Sequence, residues 1–139
     1  MMMKKTSLFG AATLLAALSV SATPAPEGAR VYFISPADGE QLSADFTVRF
    51  GLEGMGVAPA GTEKDGTGHH HLLINAQQMP DLTQPLPASD QVRHFGGGQT
   101  EARLSLPPGD YRLQLVLGDA QHVPHQPPVM SDVIQITVK

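Results

Sequence analysis

Hydrophobic residues along this chain recur mainly at every second position, in short runs cut by proline and glycine. Within 45–52, Phe46, Val48 and Phe50 alternate with Thr47, Arg49 and Gly51. That period sets one face of a strand on a core and the other toward solvent. Tyr111, Leu113, Leu115 and Leu117 repeat the pattern within 107–119, opposite Arg112, Gln114 and Val116. Ala102, Leu104 and Leu106 share a face over 101–107, as do Ile134, Ile136 and Val138 over 132–139. The runs RVYFI (30–34) and HLLIN (71–75) are too short to show a period but have strand composition.

Turn chemistry separates these six segments. SPADGE follows the first, and PPGDY predicts a tight hairpin between 101–107 and 107–119. The stretch 77–99 holds Pro80, Pro85, Pro87 and Gly96-Gly97-Gly98, and reads as a loop standing in for a further strand. After residue 22 no stretch carries a helical period with a cap. The expected fold is all-β, an immunoglobulin-like antiparallel β-sandwich of about 6–8 strands, with a small β-barrel as the alternative.

The first 22 residues have a different pattern. Lys4 and Lys5 give a positive start, Leu8 to Val20 is apolar, and Val20-Ser21-Ala22 is a small-residue cleavage signal. This is the three-part form of a secretory signal peptide, and the apolar run is short of the ~20 residues of a membrane span. Residues 1–22 are therefore assigned as signal peptide, 23–29 as a mobile Pro-rich linker, and 30–139 as a single β-sandwich domain. The expected location is periplasmic or secreted, with no stable membrane insertion after cleavage. Without Lys4 and Lys5, 7 basic residues face 13 acidic ones, a net charge of −6. An acidic product without a basic cluster argues against nucleic acid or anionic lipid as partner. The chain has no cysteine, which excludes disulfides, thiol catalysis and thiolate metal sites.

The chain's six histidines are the candidate chemistry. His69, His70 and His71 end the connection between the second and third segments; His94 precedes the fourth; His122 and His125 lie between the fifth and sixth. In an immunoglobulin-like sandwich these connections cluster at one end, so all six are expected in loops there, with Met55 and Met130 nearby. Imidazole suits copper, zinc, nickel and iron, and thioether suits reduced copper. A strand period puts His69 and His71 on one face with Leu73, and His70 on the other with Leu72 and Ile74. If Leu72 and Ile74 look inward, His70 sits at the rim of the core, with His69 and His71 more open. At most two of the three then share one ion. Pro124 stiffens the His122–His125 pair, and Asp119 is a candidate hydrogen-bond acceptor for a ligating ring.

The competing reading makes the histidines structural, locking irregular loops through hydrogen bonds, or places them in a pocket for a non-metal ligand. HFGGGQT lacks the lysine and following helix of a phosphate-binding loop. An Asp119/His122/Ser131 triad has no supporting spacing and no nucleophile elbow. No enzymatic activity is expected.

The blocks VYFISPADGE, GLEGMGVAPAG, TGHHHLLI, RHFGGGQTE, LPPGDYRLQLVLGD and HVPHQPPVMS resemble the Domain of Unknown Function 4399 family, over about Val31 to Val138. The resemblance implies a small exported bacterial β-domain and assigns no activity. A looser analogy is to periplasmic copper-carrying β-sandwiches, some of which use an N-terminal histidine; the expected first residue here is Thr23. The functional expectation is a periplasmic binding or carrier protein for a transition metal, copper first and zinc as the alternative. His69, His71, His122 and His125 lead the candidate ligands, then His94 and His70, with Met55, Met130 and Asp119 accessory. The alternative is a non-enzymatic module that binds a cell-envelope partner.

Overall fold

The structure is a computed structural model that describes residues 3–4, 7–14 and 21–139. The described residues contain nine strands and no helix. They are β1 (Arg30–Ser35), β2 (Gln41–Leu42), β3 (Asp45–Glu53), β4 (Gly56–Val57), β5 (Thr67–Ile74), β6 (Val92–His94), β7 (Glu101–Ser105), β8 (Gly109–Gly118) and β9 (Ile134–Val138). The small sheet runs β1–β3–β7; the large one runs β2–β9–β8–β5–β4, with β6 also paired to β5. The fold is all-β, two sheets packed on one core. The six expected segments are strands, and β2, β4 and β6 are additions of two or three residues each. Two of these additions make parallel pairs, β2 with β9 and β4 with β5, so the sheets are antiparallel everywhere except at those short margins.

The alternating residues meet between the sheets. Val31, Phe46, Val48, Phe50 and Leu104 come from the small sheet; Leu72, Ile74, Leu113, Leu115, Leu117 and Ile136 come from the large one. This burial explains why the expected hairpin at PPGDY does not form. β7 pairs with β3, while β8 pairs with β5 and β9. Leu104 and Leu113 fill one core from opposite sides, so the turn carries the chain across the core's edge. Tyr111 Oη donates to the Pro107 carbonyl at 2.6 Å and ties the crossing down.

Behind the large sheet lies a second, smaller core. Leu73 of β5 and Val116 of β8 are covered by Leu86 and Val92, with Ala76, Leu82 and Met130 against them. The segment expected as a bare loop thus folds back over the sheet, and its end pairs with β5 as β6. β5 is therefore buried on both faces.

The expected mobile linker is held at its start. Ala25 N donates to the Gln126 carbonyl at 3.1 Å, and Gln126 N donates to the Thr23 carbonyl at 2.9 Å. Thr23 Oγ1 donates to Asp119 Oδ2 at 2.7 Å. Residues 23–26 form a strap across the 119–126 turn. Of the expected signal segment, residues 1–2, 5–6 and 15–20 lie outside the described residues. Leu8, Phe9 and Leu14 within it are exposed, and no helix among the described residues is long and apolar enough to cross a membrane.

A chain beginning at Pro26 leaves Asp119 Oδ2 and the Gln126 amide without these partners. Leaving such groups unpaired costs about 1–3 kcal/mol, so its urea midpoint should fall against that of a chain beginning at Thr23. Equal midpoints would show that the strap contributes nothing to stability.

Candidate metal centre

The three adjacent histidines lie inside β5, not in a loop at its end, because the strand begins four residues earlier than its apolar run suggests. His69, His70 and His71 pair with Gly118, Leu117 and Val116 of β8. On its other edge His71 pairs with His94 of β6. His70 faces the main core with Leu72 and Ile74, its ring 4.9 Å from that of Phe50. His69 and His71 face the other way, toward the second core. They were expected to be open there, yet they expose only 1% and 0% of their surface. The covering segments close that side.

His122 reaches the same face from the turn after β8. Its φ of 65° is left-handed, a conformation that costs a non-glycine residue of order 1–3 kcal/mol and persists only when its surroundings impose it. Here they do. Asp119 Oδ1 accepts from Gln121 N at 2.9 Å and Val123 N at 3.0 Å. His122 N donates to the Asp119 carbonyl at 3.0 Å, and Leu86 N donates to the His122 carbonyl at 2.9 Å. The Asp119 carboxylate, expected as an acceptor for a ligating ring, instead builds the turn that aims His122. Gly118 makes room: a Cβ there would lie 2.5 Å from His71 Cε1.

Four imidazoles gather on this face. Ring centroids lie 4.5 Å apart for His69–His71, 4.7 Å for His69–His122, 4.5 Å for His71–His94 and 4.6 Å for His94–His122. His69 Nε2 is 2.8 Å and His71 Nε2 is 3.2 Å from His122 Nδ1. One nitrogen from each of His69, His71 and His122 lies within 4.8 Å of the other two, a set able to hold a metal ion. A tetrahedral ion with nitrogens at ~2.0–2.1 Å separates its ligand atoms by about 3.3 Å, close to the two measured contacts. Without an ion, the His122 lone pair or proton is shared between two neighbours, and Nδ1 of His69 and of His71 has no hydrogen-bond partner.

The sheet divides the remaining candidates. A Cβ on Gly68 would meet both His125 Cε1 and Leu117 Cδ2 at 3.0 Å, which puts His125 on the main-core side with Leu117. Its Nε2 donates to the Thr67 carbonyl at 3.2 Å. His70 is on that side too, and neither of its ring nitrogens has a partner. The six histidines are therefore not one loop cluster: four share the outer face and two the inner. Met55 packs against the main core, and Met130 against the second one. Ser131 Oγ is taken up between Leu115 N and the Asp132 carbonyl, both at 2.8 Å, which ties that hydroxyl to the backbone. The roles of Gly118 and Thr23 left no mark in the sequence, because neither residue type carries metal chemistry.

Burial sets the charge state of the cluster. It depresses the imidazole of His69 to about 4, helped by His122 and His94, against an ordinary 6.5. His70 is lowered to about 4, again first by burial and then by His69. His71 falls to about 2, from burial and then its three imidazole neighbours, with the Val116 carbonyl acting the other way. His122 is also lowered, by burial and then His94, while Asp119 raises it. At neutral pH these rings are neutral, the form a metal requires.

Fold and cluster together define an all-β protein with a histidine-lined interior site between its large sheet and the segments covering it. The chain belongs to the Domain of unknown function (DUF4399) family, whose model matches residues 48–139 and so includes every histidine. A comparison with curated proteins found no match. Among solved structures, the endo-beta-1,4-mannanase from Thermotoga petrophila is similar at 17% identity and a TM-score of 0.46, over 80% of this chain and 20% of that one. The present chain spans a fifth of that enzyme's length, and a likeness of this degree says nothing about activity.

The depressed imidazoles make stability depend on pH in a set direction. Unfolded histidines take up protons below about 6.5, whereas folded His69 and His70 resist until about 4. The unfolded chain then binds more protons in that window, so stability falls as pH falls. Each such histidine adds a slope of up to about 1.4 kcal/mol per pH unit. For metal-free protein, urea midpoints from pH 7 to 4.5 should decline, and His70→Leu should decline less steeply by one proton. A wild-type midpoint that is flat over this range would refute the buried neutral assignment.

Proposed function

We propose that this chain is an exported protein, periplasmic or secreted, that holds a transition-metal ion between His69, His71 and His122, in carriage or buffering rather than turnover. One observation carries the reading: ring nitrogens of two buried histidines and one half-buried histidine, from two distant segments, converge on one point, and the turn that brings His122 there keeps a strained backbone to do so. Ordinary packing does not call for such an arrangement, and buried structural histidines have both ring nitrogens partnered, whereas Nδ1 of His69 and of His71 has no partner.

Copper is the ion we assign first. The convergent donors are all imidazole nitrogens, which suit copper and zinc alike, and divalent copper exceeds zinc in affinity for a given nitrogen set. Met55 packs on the opposite side of the large sheet and Met130 against the second core; the assignment rests on the converging nitrogens alone. The signal-like segment 1–22 supports export.

Protein purified without an affinity tag should be stripped of metal and titrated with Cu(II) and Zn(II) while its melting temperature is followed. At ~100 times Kd a bound ion adds ~2.7 kcal/mol of stability, with Cu(II) effective at lower concentration than Zn(II). His122→Ala should abolish the shift while leaving the main core intact. If neither ion raises the melting temperature of the wild-type protein, the metal reading fails and the cluster is packing alone.

A further inference from the structure

We propose that His94 closes the centre as a fourth ligand, through Nδ1, so that the ion is enclosed by four imidazoles with no coordinated water. The inference rests on the metal reading above and extends it from a three-nitrogen set to the full coordination shell. Three protein ligands leave a tetrahedral ion with one open position, the arrangement of a reactive centre; four close it, the arrangement of a holding site. Which of the two this protein builds decides whether a bound ion meets substrate or is only kept.

The backbone places His94 for this task. In the β5–β6 ladder it stands directly opposite His71, and directly opposed residues project from the same face of a sheet. Its ring lies 4.5 Å from the His71 ring and 4.6 Å from the His122 ring, so it borders two members of the convergent set. The nitrogens of His94 stand outside the convergent set of the other three, and closing that gap takes an adjustment of the His94 ring on loading. The β6 backbone is held by its pairing with β5 and by Phe95 N donating to the His70 carbonyl at 3.0 Å, so the side chain makes the movement.

The chemistry of the ring agrees with the placement. His94 Nε2 is 3.1 Å from the Pro87 carbonyl. A carbonyl oxygen only accepts, so Nε2 carries the proton, and a neutral His94 keeps its lone pair on Nδ1. Ligating histidines characteristically donate the non-ligating N–H to such an acceptor, which fixes the tautomer and the ring plane. His94 is also half-buried, like His122, while His69 and His71 are fully enclosed. It occupies the side by which an ion enters, and binding it as the last ligand shuts that side.

X-ray absorption on Cu(II)- and Zn(II)-loaded wild-type protein counts the imidazoles, and the same spectra on His94→Ala give the comparison. We expect four imidazoles in the wild type and three plus one light oxygen ligand in the variant. The variant's metal affinity should be weaker by at least about tenfold, the loss that follows even from removing a group that only orients a ligand. Three imidazoles and a water in the wild type would overturn the fourth-ligand inference while leaving the three-histidine site standing. So would an affinity unchanged in His94→Ala. Absence of any bound ion in the wild type would instead overturn the metal reading itself. The wild-type imidazole count decides the question even if the variant does not fold.

Discussion

The constraint on which this structure depends is that β5 is buried on both faces. Every residue of the strand after Thr67 is inaccessible to solvent, although three of the eight are histidines. A strand of the large sheet with its inner face on a hydrocarbon core still has an outer face to hide. Hiding an imidazole costs free energy unless its nitrogens find partners, and far more if the ring is charged. The loop after β5 and the turn after β8 provide the cover, and the imidazoles are kept neutral. The second core, the short strand β6 and the left-handed His122 all follow from that need for cover.

Crowding with only partial compensation is the electrical character of the site. Burial and the neighbouring rings disfavour protonation of His69, His71 and His122. The buried Asp119 carboxylate works the other way on His69 and His122, although its oxygens are already taken by backbone amides and Thr23. Protons are thus kept out by geometry and burial together. With one lone pair or one proton at His122 Nδ1 divided between two neighbours, the converging nitrogens satisfy one another poorly. Gly118 completes the arrangement by contributing nothing: any side chain there would occupy the space of the His71 ring.

Much of this was legible from the chain. The alternation at Phe46, Val48 and Phe50, and at Leu113, Leu115 and Leu117, identified strands and the face each one buries, because period two is a local property. The assignment of His69 and His71 to one face and His70 to the other followed from the same rule. Three things were not legible. The pairing partners of β7 and β8 depend on which sheet fills which side of the core, and a two-proline turn is compatible with a hairpin or a crossing. The start of β5 lay hidden because Gly68 and the histidines lack strand composition and cut Thr67 off from the apolar run, and only pairing with β4 and β8 recruits them. The division of the histidines by the large sheet was invisible because His125 is placed by the empty face of Gly68, a contact far apart in sequence.

The strap described above has a further consequence, for the order in which the site can come into being. Thr23 and Asp119 are 96 positions apart, and His69 and His122 are 53 apart. A chain that emerges from its N-terminal end presents Thr23 and then the β5 histidines long before the turn that completes them exists. Until the stretch from Asp119 to Val123 has appeared, nothing holds His122 in place against β5. The convergence of His69, His71 and His122 is therefore a property of a chain complete through that turn.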